Sequence, residues 1–469
     1  MYQKEIEAYW NDPARERELV AAISRLVGVK SVKGEAEPGK PFGPGPAAAL
    51  TEALSLCKEL GFAVTDYDHY VGLADLNETR LHILGHLDVV GEGSGWSTDP
   101  YTCVERDGIL YGRGVSDDKG PVVCALLAMK AVRELGLPVS ANARLILGTD
   151  EESGSADIAY YYAREPYAPY AFTPDADFPV INIEKGHYHP DFGARWERSG
   201  ALPRVAAMTG GFRQNVVPPE AECMILGLFD RDVQSACDEV ARTTGASFLV
   251  NGSASGCHIH CEGKNAHAAS PDDGINAIAA LLEVLARLPL ADCGSTKAVL
   301  ALHTLFPFGD NRGKALGIAQ EDAESGPLTL NFALLTLTET GFTAKFDVRF
   351  PICATEETCK KACEAAFAGY GISVTGDPDM TTVHCVPRDS ELVQTLLRCY
   401  ADYTGVENPQ PIAIGGGTYV HDIPGGVAFG ASMPGFVSNL HGPDERVNVA
   451  ELLTAAMIYT QVILDVCGE

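Results

Sequence analysis

The sequence predicts an α/β fold in which a mostly parallel sheet, covered by helices, is interrupted by an inserted α+β domain. Over residues 1–186, strand and helix patterns alternate, as in parallel sheets joined by crossover helices. Over residues 187–382, paired strands with one helix per pair replace that alternation. From 383 to 469 the alternation returns. The first and last segments should therefore form one discontinuous domain around the insert.

The first segment presents the elements of such a sheet in order. A helical pattern ends at Gly61, and the apolar run "RLHILGHLDVV" predicts a strand. "GPVVCALLAMKAVRELGL" predicts a helix that Gly136 closes, and "ARLILGTDEES" predicts a strand that runs into acidic residues. Because such sheets bind ligands beyond the C-terminal ends of their strands, the polar residues at these two strand ends are candidates for a site.

The insert is predicted to contain two loosely similar halves. The first has strands within 203–228, a helix near 231–243 and strands up to 262. The second has strands within 328–350 and a helix near 355–369. After the insert, "SELVQTLLRCYADYTG" and "NVAELLTAAMIYTQVILDV" predict two further helices of the discontinuous domain.

Charge and composition argue against several classes of partner. Lys and Arg number 35 against 63 Asp and Glu, which gives a net charge of −28. Such a surface repels nucleic acid and anionic lipid, so we expect neither as a partner.

The N-terminal sequence lacks an apolar signal region, and the 14 cysteines are scattered singly, as free thiols in a reducing compartment are. We therefore expect a cytoplasmic protein.

His86 and Asp88 lie at the end of the predicted strand "RLHILGHLDVV". Alternate strand residues point to one face, so these two side chains lie about 7 Å apart on the same side. This arrangement suits a histidine that binds a metal beside a carboxylate that orients it. It also suits a polar pair at a strand end, and the strand alone does not decide between the two.

Acidic and histidine residues recur in four other motifs, each of which also has a structural interpretation. Helix capping, a solvated loop, turn chemistry or simple surface exposure would explain any one of them. The residues are Asp117 with Asp118 in "GRGVSDDKG", Glu151 with Glu152 in "GTDEES", Asp175 with Asp177 in "TPDADFP", and His441 in "NLHGPDE".

Together the motifs resemble one family, the co-catalytic di-zinc exopeptidases that include aminoacylase, carnosinase and glutamate carboxypeptidase. Within it the sequence is most similar to bacterial dipeptidases of the PepV type. The motifs that carry the resemblance run in the family's order across nearly the whole chain. They are "GHLDVV", "GRGVSDDKGP", "GTDEES", "FTPDADFPVINIEKG", "GFRQNVVPPEA", "NAHAASPDDGINA", "FDVRFP" and "GGGTY".

The resemblance implies two divalent metal ions per chain, with zinc expected and manganese or cobalt also accepted by such ligands. It makes Asp117 the bridge between the two ions. It makes Asp88 the residue that orients a ligand histidine, and Glu151 the general base that serves a metal-bridged hydroxide. The implied ligands are His86, Asp117, Glu152, Asp175 and His441.

For the insert, the resemblance implies a lid that completes the site. His267 in "NAHAAS" would polarise the scissile carbonyl. Arg349 in "DVRFP" and Asn215 in "RQNVVP" would hold the terminal carboxylate and backbone of the substrate. The glycine-rich "GGGT", with Gly416 and Thr418, either cradles the same carboxylate or is simply a sharp turn.

The predicted function is a metal-dependent dipeptidase acting on short peptides with a free C-terminal carboxylate. The alternative within the same chemistry is an amidohydrolase of N-acyl amino acids, and the alternative of another class is a binding protein on an enzyme scaffold. Because the insert is doubled, one chain would mimic a partner's lid, so we expect a monomer.

Two further histidine pairs are predicted not to bind metal. His258 and His260 point to the face of a strand opposite Cys257 and Cys261, so "GCHIHCEG" is predicted to be an ordinary strand. His187 and His189 are predicted to lie in an exposed connection.

Overall fold

The computed structural model describes residues 2–75 and 79–468, and the chain divides into two compact units. The first unit comprises residues 1–183, 384–412 and 417–469, and the second comprises 184–383 and 413–416. Met1 and Glu469, which bound the domain expected from the sequence, lie outside the described residues. The short segment 413–416 belongs to the second unit, whereas the sequence pattern had placed it in the discontinuous domain.

The helices of the described chain are numbered in the order in which they occur along the sequence. They are α1 (Gln3–Trp10), α2 (Pro13–Val27), α3 (Pro44–Glu59), α4 (Lys119–Glu134), α5 (Ala156–Tyr162), α6 (Asp230–Thr244), α7 (Ala277–Leu285), α8 (Gly294–Leu305), α9 (Ala362–Ala368), α10 (Glu391–Thr404) and α11 (Val449–Cys467). Short helical turns of other types lie at Glu151–Ser153, Pro271–Asp273, Glu357–Lys361 and Tyr419–Asp422.

The strands, several of them only two residues long, are numbered in the same way. They are β1 (Val64–Tyr67), β2 (Val71–Ala74), β3 (Thr79–His86), β4 (Val104–Arg106), β5 (Ile109–Tyr111), β6 (Asn142–Gly148), β7 (Tyr170–Thr173), β8 (Ala176–Asp177), β9 (Ile181–Glu184), β10 (Gly186–Tyr188), β11 (Asp191–Arg195), β12 (Arg204–Gly210), β13 (Glu220–Leu226), β14 (Ser247–Gly252), β15 (Gly256–Glu262), β16 (Glu321–Asp322), β17 (Gly326–Pro327), β18 (Thr329–Thr338), β19 (Gly341–Phe350), β20 (Ser373–Val374), β21 (His384–Cys385), β22 (Ile412–Ile414), β23 (Val427–Ala428), β24 (Ala431–Ser432) and β25 (Arg446–Asn448).

The main sheet of the first unit has a parallel centre, which confirms the predicted α/β class. The strand order is β1-β2-β6-β3-β7-β23-β9-β21. β3 runs parallel to β6 and β7, and β7 runs parallel to β23. β1 and β2 add an antiparallel edge. The parallel strands therefore bring their C-terminal ends to one edge of the sheet, where the sequence places polar residues.

Helix α11 lies in the core of the first unit. It is long and apolar enough to cross a membrane by length and composition, but 67% of its most apolar window is buried. Its polar groups are satisfied inside the protein: Trp10 Nε1 donates to Thr460 Oγ1 at 3.0 Å, and the Tyr459 hydroxyl donates to the backbone carbonyl of Phe429 at 2.9 Å. These contacts are those of a core helix in a globular domain.

The second unit is built on an antiparallel sheet of strand order β14-β15-β13-β12-β18-β19-β11-β20, with β10 added against β19. The two predicted halves meet where β12 pairs with β18. Helix α7, which the sequence analysis did not assign, packs on this sheet with every residue from Ala277 to Leu282 buried. On β15 the side chains alternate as expected, with Cys257 and Cys261 buried and His258 and His260 partly exposed.

Aromatic packing dominates the core of the second unit. The Phe192 side chain is 1% exposed, and its ring lies 4.8 Å from Phe367 and 5.6 Å from Phe306 and Phe346. Since Phe192 itself pairs with Ala344 between β11 and β19, the cluster joins the sheet to the helices that cover it.

Truncation of this cluster should destabilise the second unit. The substitution Phe192→Ala removes a fully buried ring and should lower the free energy of unfolding by about 3–5 kcal/mol. Denaturant unfolding followed by circular dichroism measures the change. The control Leu249→Ala removes a side chain that is 59% exposed, and it should cost less than about 0.5 kcal/mol. Equal losses in the two variants would contradict this account of the core.

Candidate metal centre

Three parallel strands of the first unit end beside one another, and each is followed by a candidate ligand. β3 ends at His86, β6 leads into the turn that starts at Glu151, and β7 is followed by Asp175. One ligand atom from each of these residues lies within 4.8 Å of the other two. The sheet edge therefore gathers an imidazole and two carboxylates that are far apart in the sequence.

A second group of ligand atoms forms next to the first. Asp117, Glu152 and His441 also offer three atoms within 4.8 Å of one another. His441 Nε2 lies 3.3 Å from Glu152 Oε1, and the corresponding distance in the first group, from His86 Nε2 to Asp175 Oδ2, is 3.5 Å. The five ligands implied by the resemblance are divided between these two groups, and Glu151, the expected base, is the third member of the first group.

Asp117 lies between the two imidazoles. Its Oδ1 is 2.8 Å from His86 Nε2, and its Oδ2 is 2.8 Å from His441 Nε2. Burial disfavours the charge on this carboxylate, but the neighbouring imidazoles of His441 and His86 hold its pKa below the usual value. One oxygen faces each group, which is the geometry that a bridging carboxylate requires.

The donor set fits a pair of divalent cations. His86 Nε2 and Asp117 Oδ1 are buried and, among the residues that the structure describes, neither has a hydrogen-bond partner. Buried polar atoms are rarely left in this state without another ligand. Imidazole nitrogens and carboxylate oxygens bind Zn²⁺, and they also accept Mn²⁺ or Co²⁺. The donor types therefore fit a metal centre but do not select one metal.

The His86 ring is oriented by main chain. Its Nδ1 lies 2.9 Å from the backbone carbonyl of Asp88, to which it must donate, because a carbonyl only accepts. In the neutral ring this leaves the lone pair on Nε2, which faces the metal centre. The Asp88 carboxylate is farther from the ring, with Oδ1 at 3.5 Å from Nδ1.

The Asp88 carboxylate instead holds the turn that carries the paired glutamates. The backbone N–H groups of Glu151 and Glu152 donate to Asp88 Oδ1 and Oδ2, each at 3.2 Å. Adjacent residues of a strand would point to opposite faces, so a turn is needed for both carboxylates to reach one site. The structure thus gives Asp88 a contact that the sequence analysis did not foresee.

Glu151 has two geometrically possible roles. Its carboxylate is close enough to His86 and Asp175 to be a ligand. Burial, together with the negative charges of Asp175 and Asp117, raises its pKa well above the usual value. A carboxyl group whose pKa is raised is also suited to take up a proton, as a general base does.

Asp157 also binds the main chain that leads into this turn, and the sequence analysis did not single it out. Its Oδ2 accepts from the backbone N–H groups of Thr149 and Asp150 at 2.5 and 2.9 Å, and from the Tyr419 hydroxyl. Burial raises its pKa to about 6. The signal in the sequence was an acidic residue in the otherwise apolar start of α5, "SADIAYYY".

Three other residues of the metal-binding motifs are buried beside the ligands. Asp118, which is not among the implied ligands, accepts from the backbone N–H of His86 at 3.1 Å and lies outside both ligand groups. Arg113 and Glu445 form an ion pair at 2.6 Å, with both side chains buried. Neither member of that pair was singled out in the sequence.

The second unit holds the candidate carboxylate-binding residues. Arg349 donates through Nε and Nη2 to both oxygens of Asp347, at 2.6 and 2.8 Å. Its Nη1 donates to the backbone carbonyl of Gly415 at 2.9 Å and lies 2.8 Å from His187 Nε2. The guanidinium expected to hold a substrate carboxylate thus binds Asp347 through two of its nitrogens, and the glycine-rich segment is its direct neighbour.

The expectation of an exposed connection at His187 and His189 is wrong. His189 Nε2 lies 3.0 Å from Asp347 Oδ1, and both histidine rings are partly buried. The pairing of β10 with β19 places His187 opposite Arg349, which a sequence without strand partners does not reveal.

Asn215 and His267 come together in the second unit. Val216 pairs with His267, and the backbone N–H of Ala268 donates to the Asn215 carbonyl at 2.9 Å. The N–H of Ala269 donates to His267 Nδ1 at 3.2 Å. The two remaining candidates belong to different units: Gly416 to the second and Thr418 to the first.

Comparison with known proteins identifies related sequences along the whole chain. A model of "Peptidase family M20/M25/M40" matches residues 82–465. The putative dipeptidase YtjP of Bacillus subtilis (strain 168) is 35% identical over 461 residues, 96% of this chain and 97% of that protein. The beta-Ala-Xaa dipeptidase of Lactobacillus delbrueckii subsp. lactis is 31% identical over 435 residues, 92% and 91% of the two chains.

Solved structures with the same fold are more distant in sequence. Human carnosine dipeptidase 1 superposes with a TM-score of 0.59 at 16% identity, covering 100% of this chain and 99% of that one. A tripeptidase of Staphylococcus aureus subsp. aureus Mu50 has a TM-score of 0.58 at 14% identity, covering 96% and 98%. At these identities the likeness shows the fold alone.

The contacts of Asp88 lead to a prediction about metal affinity. Asp88→Asn replaces one acceptor oxygen with an amide N–H₂ group, which then faces a backbone N–H group of the paired glutamates. We expect the affinity of the metal-free protein for Zn²⁺ to fall about 10- to 100-fold, as measured by calorimetric titration. Asp191→Asn, at an exposed position, is the control. An unchanged affinity in Asp88→Asn would contradict this role.

Proposed function

The chain belongs to peptidase family M20/M25/M40 and is a metal-dependent dipeptidase, and we propose that it cleaves short peptides with a free C-terminal carboxylate at this metal centre. The observation that carries the proposal is Asp117, whose two oxygens face the imidazoles of two adjacent ligand groups at 2.8 Å each. The dipeptidases named above, similar over more than nine tenths of the chain, support the same class of substrate.

In the proposed centre, His86 and Asp175 would hold one ion, Glu152 and His441 would hold the other, and Asp117 would bridge them. When bound, the two ions lower the pKa of water and polarise the peptide carbonyl. Zn²⁺ is the metal we propose, and Mn²⁺ or Co²⁺ would be accepted by the same donors.

We assign Glu151 as the general base. Glu152 lies 3.3 Å from His441, in the second group, whereas Glu151 faces His86 and Asp175. Glu151 takes a proton from the attacking water as the water oxygen bonds to the peptide carbon, and it delivers that proton to the amine nitrogen as the C–N bond breaks. Burial and the neighbouring carboxylates raise its pKa, and a raised pKa favours proton uptake by a base.

The second unit is proposed to bind the rest of the substrate. Because Ala269 N–H donates to His267 Nδ1, the neutral His267 ring carries its own proton on Nε2. That N–H group is suited to polarise the scissile carbonyl. Asp347 accepts from Nε and Nη2 of Arg349 and fixes the guanidinium in one orientation. We assign the second N–H bond of Nη2 to the substrate carboxylate, and Asn215, whose carbonyl accepts from the residue after His267, to the peptide backbone.

We propose that the glycine-rich segment contributes to the same carboxylate site. Arg349 donates to the Gly415 carbonyl, which supports a position for Gly416 next to the guanidinium. Thr418 accepts from the N–H of Val420 and starts the following helical turn, which supports a role in shaping this segment.

A cytoplasmic location is also proposed. All 14 cysteines lie within the described residues and are free thiols, and only Cys353 and Cys385 are exposed. Such thiols are typical of a reducing compartment.

The base assignment predicts the behaviour of Glu151→Gln. The glutamine keeps the size of the side chain but takes up no proton, so kcat for dipeptides should fall about 10²- to 10⁴-fold. Metal content by elemental analysis should remain two ions per chain. Glu105→Gln, at an exposed strand position, is the control. Turnover near the wild-type rate in a metal-loaded Glu151→Gln protein would exclude Glu151 as the base.

The carboxylate site predicts discrimination between a dipeptide and its C-terminal amide. The wild-type protein should prefer the free acid, and Arg349→Lys should reduce that preference about 10- to 100-fold, because it loses a charged hydrogen bond worth about 1.5–3 kcal/mol. The ratio of kcat/KM for the two substrates is the measurement, and Arg195→Lys on the same sheet is the control. A wild-type protein that hydrolyses the amide equally well would contradict the site.

A monomer is proposed for the active protein. The continuous pairing of β12 with β18 joins the two halves of the second unit within one chain, which supports the absence of a partner's lid. Sedimentation velocity of the metal-loaded protein should give the mass of a single chain across a wide concentration range. A dimer at every concentration would contradict the proposal.

A further inference from the structure

We propose that Glu445, paired with Arg113, is a positioning residue that fixes Asp117 as the bridge between the two metal ions. The inference rests on the proposed function, since it assumes the two-metal centre. It concerns two residues outside the ligand set, on loops that are distant in the sequence. The mechanism gives them no contact with the substrate.

Glu445 holds the loop that carries Asp117. Its side chain is 0% exposed, and Oε1 accepts from the backbone N–H groups of Gly114, Ser116 and Asp117 at 3.0, 2.9 and 3.2 Å. One carboxylate therefore gathers three N–H groups around the bridging residue. Rotation of that loop would turn the Asp117 oxygens away from the two imidazoles.

Arg113 extends the same network to the loop of the second histidine. Its Nη1 donates to Glu445 Oε2 at 2.6 Å, and its Nη2 donates to the backbone carbonyls of Gly442 and His441 at 3.1 and 3.3 Å. The Trp96 ring lies 5.2 Å from the guanidinium. The side chains of Asp117 and His441 approach each other at 2.8 Å, from Oδ2 to Nε2. The buried ion pair thus contacts the main chain of both of these residues.

The two loops have a second connection that does not depend on this ion pair. β25 pairs with β5 through Arg446 to Asn448, and the Gly112 N–H donates to the Glu445 carbonyl at 3.0 Å. These main-chain bonds would remain if the side chains were changed. Loss of the ion pair should therefore alter the geometry of the bridge more than the fold of the unit.

A purely structural role would have a different consequence. A buried ion pair that serves only stability can be replaced by a neutral pair without effect on a neighbouring site. A positioning role requires that metal binding changes even when the protein stays folded. The readout must therefore be the coupling between the ions, not activity alone.

The test is a titration of metal-free protein with MnCl₂ alone, followed by calorimetry and electron paramagnetic resonance. The wild-type protein should bind two Mn²⁺ ions and show the spectrum of an exchange-coupled pair. In Glu445→Gln we expect the second ion to bind about 10- to 100-fold more weakly, with the coupled spectrum lost. The control is Glu339→Gln, which removes the charge of the Arg204–Glu339 pair in the second unit and should leave both ions coupled.

A double variant keeps the test decisive if the single variant fails to fold. Arg113→Gln combined with Glu445→Gln leaves no uncompensated buried charge, and its fold is checked by circular dichroism. Loss of the coupled pair in this folded variant supports the inference. Two tightly bound, coupled ions in either variant would overturn it. A wild-type protein that fails to bind two ions would instead contradict the proposed function.

Discussion

The first unit is organised around buried carboxylates that crowd one edge of its sheet. Asp88, Asp157 and Glu445 are each at most 1% exposed and lie around the two ligand groups, and Asp117, a member of the second group, is 6% exposed. Charge is costly to bury unless it is paired or hydrogen-bonded, so each of these groups needs compensation. The contacts that supply it also determine where the ligands point. The chemistry of the centre therefore depends on how this negative charge is balanced.

Backbone N–H groups provide much of that balance. Asp157 and Asp88 together accept from consecutive N–H groups between Thr149 and Glu152. Glu445 does the same for the loop of Asp117. A carboxylate that binds main chain fixes a loop without using the side chain of a ligand. The same contact thus lowers the cost of burial and leaves the ligand atoms available to the metal ions.

The fold class could be predicted because it follows from local pattern, whereas the ligand set was implied only by the resemblance to a known family. Strand ends, acidic motifs and their order along the chain are visible in the sequence, and the parallel centre of the sheet confirms the fold. Contacts between distant segments could not be predicted. The Arg113–Glu445 pair joins residues 332 positions apart, and His187 was misassigned because its partner, Arg349, comes from a strand that pairs with it only in the folded chain. Asp88 shows a third limit, since alternation placed it beside His86 but did not show that its carboxylate binds the main chain.

Anomalous X-ray diffraction at the zinc edge, on crystals of Zn²⁺-loaded protein, tests the central claim most directly. The account predicts two anomalous peaks about 3.5–4 Å apart, with one oxygen of Asp117 bonded to each ion. It predicts that Glu152 and His441 complete one site, and that His86 and Asp175 complete the other. A single ion, or two ions with Asp117 bonded to only one, would contradict it.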